Sequence, residues 1–121
     1  MARVFVLVLL LWSAPLWAAE PRLELEGGDE ALRENVRAHV SLTGESCDLA
    51  PWREQAVIRA AREEADRALR ALGYYQAHFR IRIRRGPDCW RLWVRIEPGE
   101  PVRIKELDIR LQGAARQDPA F

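Results

Sequence analysis

The chain reads as an α+β domain in the order strand, helix, helix, strand, strand, with two helices packed on one face of a three-stranded mixed sheet. Two stretches carry that prediction. Over residues 56–72, Ile58, Ala61, Ala65, Ala68 or Leu69, and Leu72 recur at spacings of three and four, which lines them along one face of a 3.6-residue helix. From Ala77 the period drops to two: Ala77, Phe79, Ile81 and Ile83 alternate with His78, Arg80, Arg82 and Arg84, as in a strand with one buried face. After a turn, Trp90, Leu92, Val94 and Ile96 repeat the alternation and complete a hairpin.

The opening nineteen residues read as a secretory leader outside the fold. Arg3 gives a basic start, an apolar run covers residues 4–12, and small residues approach Ala18 and Ala19. The run is short for a membrane span. An uncleaved anchor is the alternative. The next alternation, over residues 22–26, puts Leu23 and Leu25 inward as the first strand, and Gly27-Gly28 ends it. Asp29 is placed to accept open amides at the start of a helix. That short helix turns Leu32, Val36 and Val40 inward, with Asn35 either tied to a neighbour or solvated.

Residues 41–50 form a loop around Gly44 and Cys47. Asp48 or a nearby residue starts the long helix, and Pro51 suits its first turn, where an amide would lack a partner. Trp52 is expected as apolar packing there. Arg59, Glu63 and Arg67 are spaced for ion pairs on the solvent face. Gly73 stops the helix as the residue that tolerates a left-handed backbone. Residues 85–88, with Gly86 and Pro87, turn the hairpin. Residues 97–101 contain Pro98, Gly99 and Pro101 and form a second break. Beyond them Val102, Ile104, Leu107, Ile109 and Leu111 suggest a further strand. LDIRLQGAARQD there echoes LELEGGDEAL near the start, a weak repeat of roughly 85 residues.

Composition excludes several function classes. Without Arg3 the 19 basic residues become 18 against 18 acids, so the charge balance points to no nucleic-acid partner. Cys47 and Cys89 are the only cysteines, and two in an exported chain favour a disulfide, with buried free thiols as the alternative. If the first strand runs up, the loop holding Cys47 and the hairpin end holding Cys89 fall at the same lower edge, which permits a bridge. Two cysteines with only His39 and His78 make a poor metal set. No serine stands beside a histidine, no glycine-rich phosphate loop exists, and the acids are spread along helix surfaces. The chain therefore reads as a non-enzyme without cofactor or metal.

The wet face of the hairpin is the candidate partner-binding surface. It carries Arg80, Arg82, Arg84, Arg91 and Arg95, with Trp93 as the one apolar residue expected outside the core. Trp93 is expected to stack on cross-strand Arg80 or Arg82 or to enter an interface. A solvated arginine face is the competing reading. The sheet also has two edges, and an open edge accepts an extended peptide through main-chain pairing.

The element order, the ALRALGYYQ run over residues 68–76 and the IEPGEPVRIKELDIRLQG run over residues 96–113 resemble POTRA (polypeptide-transport-associated) repeats of the Omp85 outer-membrane family. The hinge of Pro98 and Gly99, then Val102, Ile104 and Gly113, meets the repeat's pattern. LEGGDEALRENV, over residues 25–36, is similar to the opening of TamA-like (translocation and assembly module) members. The resemblance implies a signal at 1–19, a first POTRA domain at 20–99 and the start of a second at 100–121. It implies a periplasmic segment of a longer outer-membrane protein whose C-terminal β-barrel provides the only membrane contact. The implied partners are a TamB-like inner-membrane-anchored protein and nascent outer-membrane proteins or autotransporters. A POTRA-type module of another secretion or cell-division system is the alternative.

Overall fold

The computed structural model describes residues 18–110 and 112–117, so residues 1–17 of the expected leader lie outside the described residues. Strand β1 spans Arg22–Glu26, helix α1 Glu30–His39, helix α2 Pro51–Arg70, strand β2 His78–Arg84 and strand β3 Arg91–Glu97; a 3-10 turn covers Gly113–Gln117. The sheet order is β1-β3-β2, with β1 parallel and β2 antiparallel to β3. The hairpin supplies the antiparallel pair, because a short turn reverses the chain. The two helices return the chain to the end where β1 stops, so β2 runs against β1, and β3, reversed once more by the hairpin, runs parallel to β1. The predicted α+β architecture is the observed one.

Each helix end has a local cause. At α1 the Asp29 Oδ1 accepts the Leu32 amide at 2.8 Å, satisfying a donor that the first turn leaves open. At α2 the cap is Ala50, which makes no side-chain bond, and Pro51 takes the first helical position; Asp48 does not cap it. At the far end the Gly73 amide donates to Arg70 O and the Tyr74 amide to Leu69 O, both at 3.0 Å, with Gly73 at φ 89°. This paired closure satisfies the last carbonyls of the helix.

Between helices and sheet lie Leu32, Val36, Val40, Val57, Ala61, Ala65, Ala68, Leu69, Phe79, Ile81, Leu92, Val94 and Ile96. Leu23, Leu25 and Ile83 pack against them from the strands. The alanine face lets α2 sit close to its neighbours. The expected stripe shifts by one residue at its start, where Val57 is buried and Ile58 only half-buried. Its last member is lost: Leu72 follows the final helical turn and is exposed. Trp52 is 78% exposed rather than packed. The pairs Arg59–Glu63 and Glu63–Arg67 are not made. Instead Arg70 holds Asp66 at 2.6 Å.

The loop over residues 41–50 is tied down from inside. Leu49 is buried, and the buried Trp90 donates its indole N–H to Ser46 O at 2.8 Å. The Cys47–Cys89 disulfide, with Cα atoms 4.9 Å apart, joins this loop to the hairpin end. Glu45 adds an exposed bond to Arg53 at 2.6 Å; by that bond and then by its charge it raises the guanidinium above the ordinary arginine range.

The expected strand after residue 101 does not form over residues 101–110, and Leu111 lies outside the described residues. Val102, Ile104, Leu107 and Ile109 are exposed there. A single strand has no ladder to complete and no face to cover, so alternation alone cannot hold it. The Val102 amide does donate to Gly73 O at 2.8 Å, which fixes the point where the chain leaves the domain.

Candidate protein-docking site

The outward face of the sheet brings the predicted site residues together. Arg91, Trp93 and Arg95 stand on the central strand β3, and Arg80, Arg82 and Arg84 on the edge strand β2. The register sets Arg80 opposite Arg95, Arg82 opposite Trp93 and Arg84 opposite Arg91. On the other side Arg22 opposes Arg91, Glu24 opposes Trp93 and Glu26 opposes Arg95. Trp93 thus occupies the middle of the middle strand. Its indole N–H donates to Glu26 Oε2 at 2.9 Å, and the Arg84 guanidinium lies 4.5 Å from the ring centre. The stacking partner is therefore Arg84, diagonal to Trp93, rather than the directly opposite Arg82 or the other diagonal residue, Arg80, which reaches Glu97 instead. The contact half-buries the ring.

Glutamates on the same face temper its positive charge. Glu24 bridges Arg91 at 2.9 Å and Arg84 at 3.9 Å, and Glu97 reaches Arg80 at 3.5 Å. The sequence carried a signal for Glu24 and Glu26 that the arginine pattern obscured: once Leu23 and Leu25 point inward, both acids must point outward. Among the described residues Arg22, Arg82 and Arg95 have no carboxylate within 4.0 Å.

The ladder phase determines which main-chain groups are free. The Arg22 amide donates to Trp90 O at 3.4 Å. In a parallel pair a residue bonds the two neighbours of its partner, so Trp90, Leu92, Val94 and Ile96 turn their backbone groups to β1. Arg91, Trp93 and Arg95 turn theirs to β2, where they meet Arg84, Arg82 and Arg80. Phe79, Ile81 and Ile83 consequently aim their amides and carbonyls away from the sheet. One of these groups is taken: Arg62 Nη1 from α2 donates to Phe79 O at 2.9 Å. No other bond from the described residues reaches the outward groups of Ile81 or Ile83. The edge of β2 is open over its second half. Sequence reasoning missed the Arg62 contact, since nothing in the helix pattern marks one surface arginine among many.

The remaining polar groups offer no convergent chemistry. His39 Nδ1 donates to Asn35 O at 2.7 Å on an exposed helix face, and His78 is exposed on the outer sheet face opposite Glu97. A depression beside the start of β1 is lined by Glu20, Pro21, Leu42, Thr43, Gly44 and Glu45, none of them a histidine, cysteine or serine. No group of three His, Cys, Asp or Glu side chains among the described residues is placed to hold a metal ion. Nor is any described helix long and apolar enough to cross a membrane. Compared with known protein families, residues 22–98 match the model for POTRA domain TamA domain 1.

Proposed function

The chain belongs to the family of TamA first POTRA domains, and from that premise we propose that it docks a TamB-like inner-membrane-anchored partner or nascent outer-membrane clients at the free edge of β2. Domains of this family are non-catalytic interaction scaffolds, and this one is a periplasmic domain of an outer-membrane assembly factor. Its general role is docking.

The observation that carries the finer reading is the open main chain at Ile81 and Ile83, bordered by Arg80, Arg82 and Arg84 on the outer face. An extended segment added there completes a fourth strand through backbone bonds, a mode that depends on conformation more than on side-chain identity. It suits a factor that holds different β-rich clients in turn. Arg91, Trp93 and Arg95 extend the contact across the outer face. We further assign residues 1–19 to a signal, 20–99 to this domain and 100–121 to the start of a second repeat. The exposed apolar Val102, Ile104, Leu107 and Ile109 support that division, since they suit a strand awaiting a sheet.

Amide chemical-shift mapping with segments of the partner tests the docking. Perturbations at Ile81, Ile83 and Trp93 are the expected result. Perturbations confined to the loop around Gly44 would defeat the reading.

A further inference from the structure

We propose that the β2 edge selects an extended segment with acidic side chains at alternate positions, opposite Arg80, Arg82 and Arg84. This rests on the edge-pairing reading above and adds the chemistry of the guest.

An added strand that bonds the outward groups of Ile81 and Ile83 places its own alternate residues beside the three arginines. Those positions are the non-hydrogen-bonded pairs of an antiparallel ladder, where opposing side chains come closest. What the guest meets there is an excess of cation. Among the described residues Arg82 has no carboxylate partner, Arg80 has Glu97 at 3.5 Å, and Arg84 shares Glu24 with Arg91. On its inner side β2 sets Arg80 against Arg95 and Arg84 against Arg91. Like charges placed directly opposite each other disfavour the sheet, so carboxylates arriving on the outer side of β2 relieve a repulsion that the isolated domain retains. Arg84 leans over Trp93 at 4.5 Å and toward Glu24 at 3.9 Å, across β3 and away from the guest, so Arg82, opposite the middle of the guest, is the cation most free to meet it.

The same arrangement rejects other guests. Two copies of β2 pairing antiparallel, edge to edge through Phe79, Ile81 and Ile83, put Arg80, Arg82 and Arg84 of one copy opposite the arginines of the other. Every antiparallel register that pairs these residues sets one arginine row against the other, because the side-chain period is two. The arginines therefore oppose self-association and basic strands while attracting acidic ones, so one set of side chains supplies both the favourable and the unfavourable half of specificity. Edge β1 lacks this character, since its outward side chains include Glu24 and Glu26.

The test titrates the isotope-labelled, oxidised chain with peptides that alternate valine with glutamate, serine or lysine, read by amide shifts. The glutamate peptide is expected to bind about tenfold more tightly than the serine peptide, with Ile81 and Ile83 among the shifted amides and the lysine peptide weakest. Added salt should narrow the difference. Arg82→Glu, at an exposed position, should reverse the order of the glutamate and lysine peptides. Equal affinity for the glutamate and serine peptides at Ile81 and Ile83 would overturn the charge selection while leaving edge pairing intact. If no peptide shifts Ile81 or Ile83, edge pairing itself fails. Binding of phosphatidylglycerol vesicles without peptide binding would assign the arginines to a lipid surface and refute the proposal. The peptide and salt series on the unaltered chain decides the matter even if Arg82→Glu misfolds.

Discussion

Asn35 shows how one side chain joins two helices. Its Nδ2 donates to Ala68 O at 2.7 Å across 33 residues of sequence. Ala68 lies in the last turn of α2, where carbonyls begin to run out of intrahelical amides, and the Leu72 amide goes to Leu69 instead. Asn35→Ala should therefore cost roughly 1 kcal/mol, the usual net worth of an intramolecular hydrogen bond, and urea denaturation measures it. Gly27 is constrained by space as well as by its φ of 82°. A Cβ there would stand 2.2 Å from Ile96 O, a backbone atom that cannot swing aside. Gly27→Ala should lose about 2 kcal/mol or more, combining left-handed strain with a displaced strand end. A loss under about 0.5 kcal/mol would mean that the β1–β3 junction is looser than these distances imply.

At the scale of elements, α2 and the hairpin make one unit that the disulfide closes. Leu69, in the last turn of α2, is fully buried, and Phe79 is buried where β2 begins. Leu69→Ala or Phe79→Ala should cost about 2–5 kcal/mol, a large share of the stability of a domain this small. Denaturant midpoints of each variant give the figure. The Cys47–Cys89 bridge spans 42 residues, from the inter-helix loop to the hairpin. Reduction, or Cys47→Ser with Cys89→Ser, should lower stability by roughly 2–4 kcal/mol through the freedom restored to the unfolded chain. Trp90 adds a probe: its indole bond to Ser46 O lies next to the bridge, so its fluorescence should follow the loosening of the loop on reduction. An unchanged midpoint after verified reduction would show that Leu49 and Trp90 hold the loop unaided.

For the whole molecule, the division of labour follows from having two layers. The helices cover one sheet face and leave the other to solvent or partners. Trp93 is half-buried by Arg84 and Glu26 on that outer face, not by the core. Trp93→Ala should therefore change unfolding free energy by no more than about 1 kcal/mol, the worth of an exposed cation–π contact. It should nonetheless weaken docking of a strand that extends over the face. Parallel measurement of stability and partner affinity separates the two effects; a large stability loss with unchanged affinity would place the residue in the fold rather than the interface.

The sequence by itself determined the element order, the inward side of every strand and the α+β class. Each follows from local periodicity: Leu23 and Leu25, Phe79 and Ile81, and Leu92 and Val94 could face the helices only one way. The cysteine pair was legible for the same reason, since strand directions brought both to one edge. The tertiary structure alone decided which arginine stacks on Trp93, which glutamates temper the outer face, and that Arg62 takes the Phe79 carbonyl. It also decided that the alternation after Pro101 stays out of the sheet while Trp52 stays out of the core. Periodicity reports which side of an element is apolar. Diagonal reach, ladder phase and the presence of a neighbouring strand depend on distances between segments far apart in the chain, and those exist only once the layers have packed.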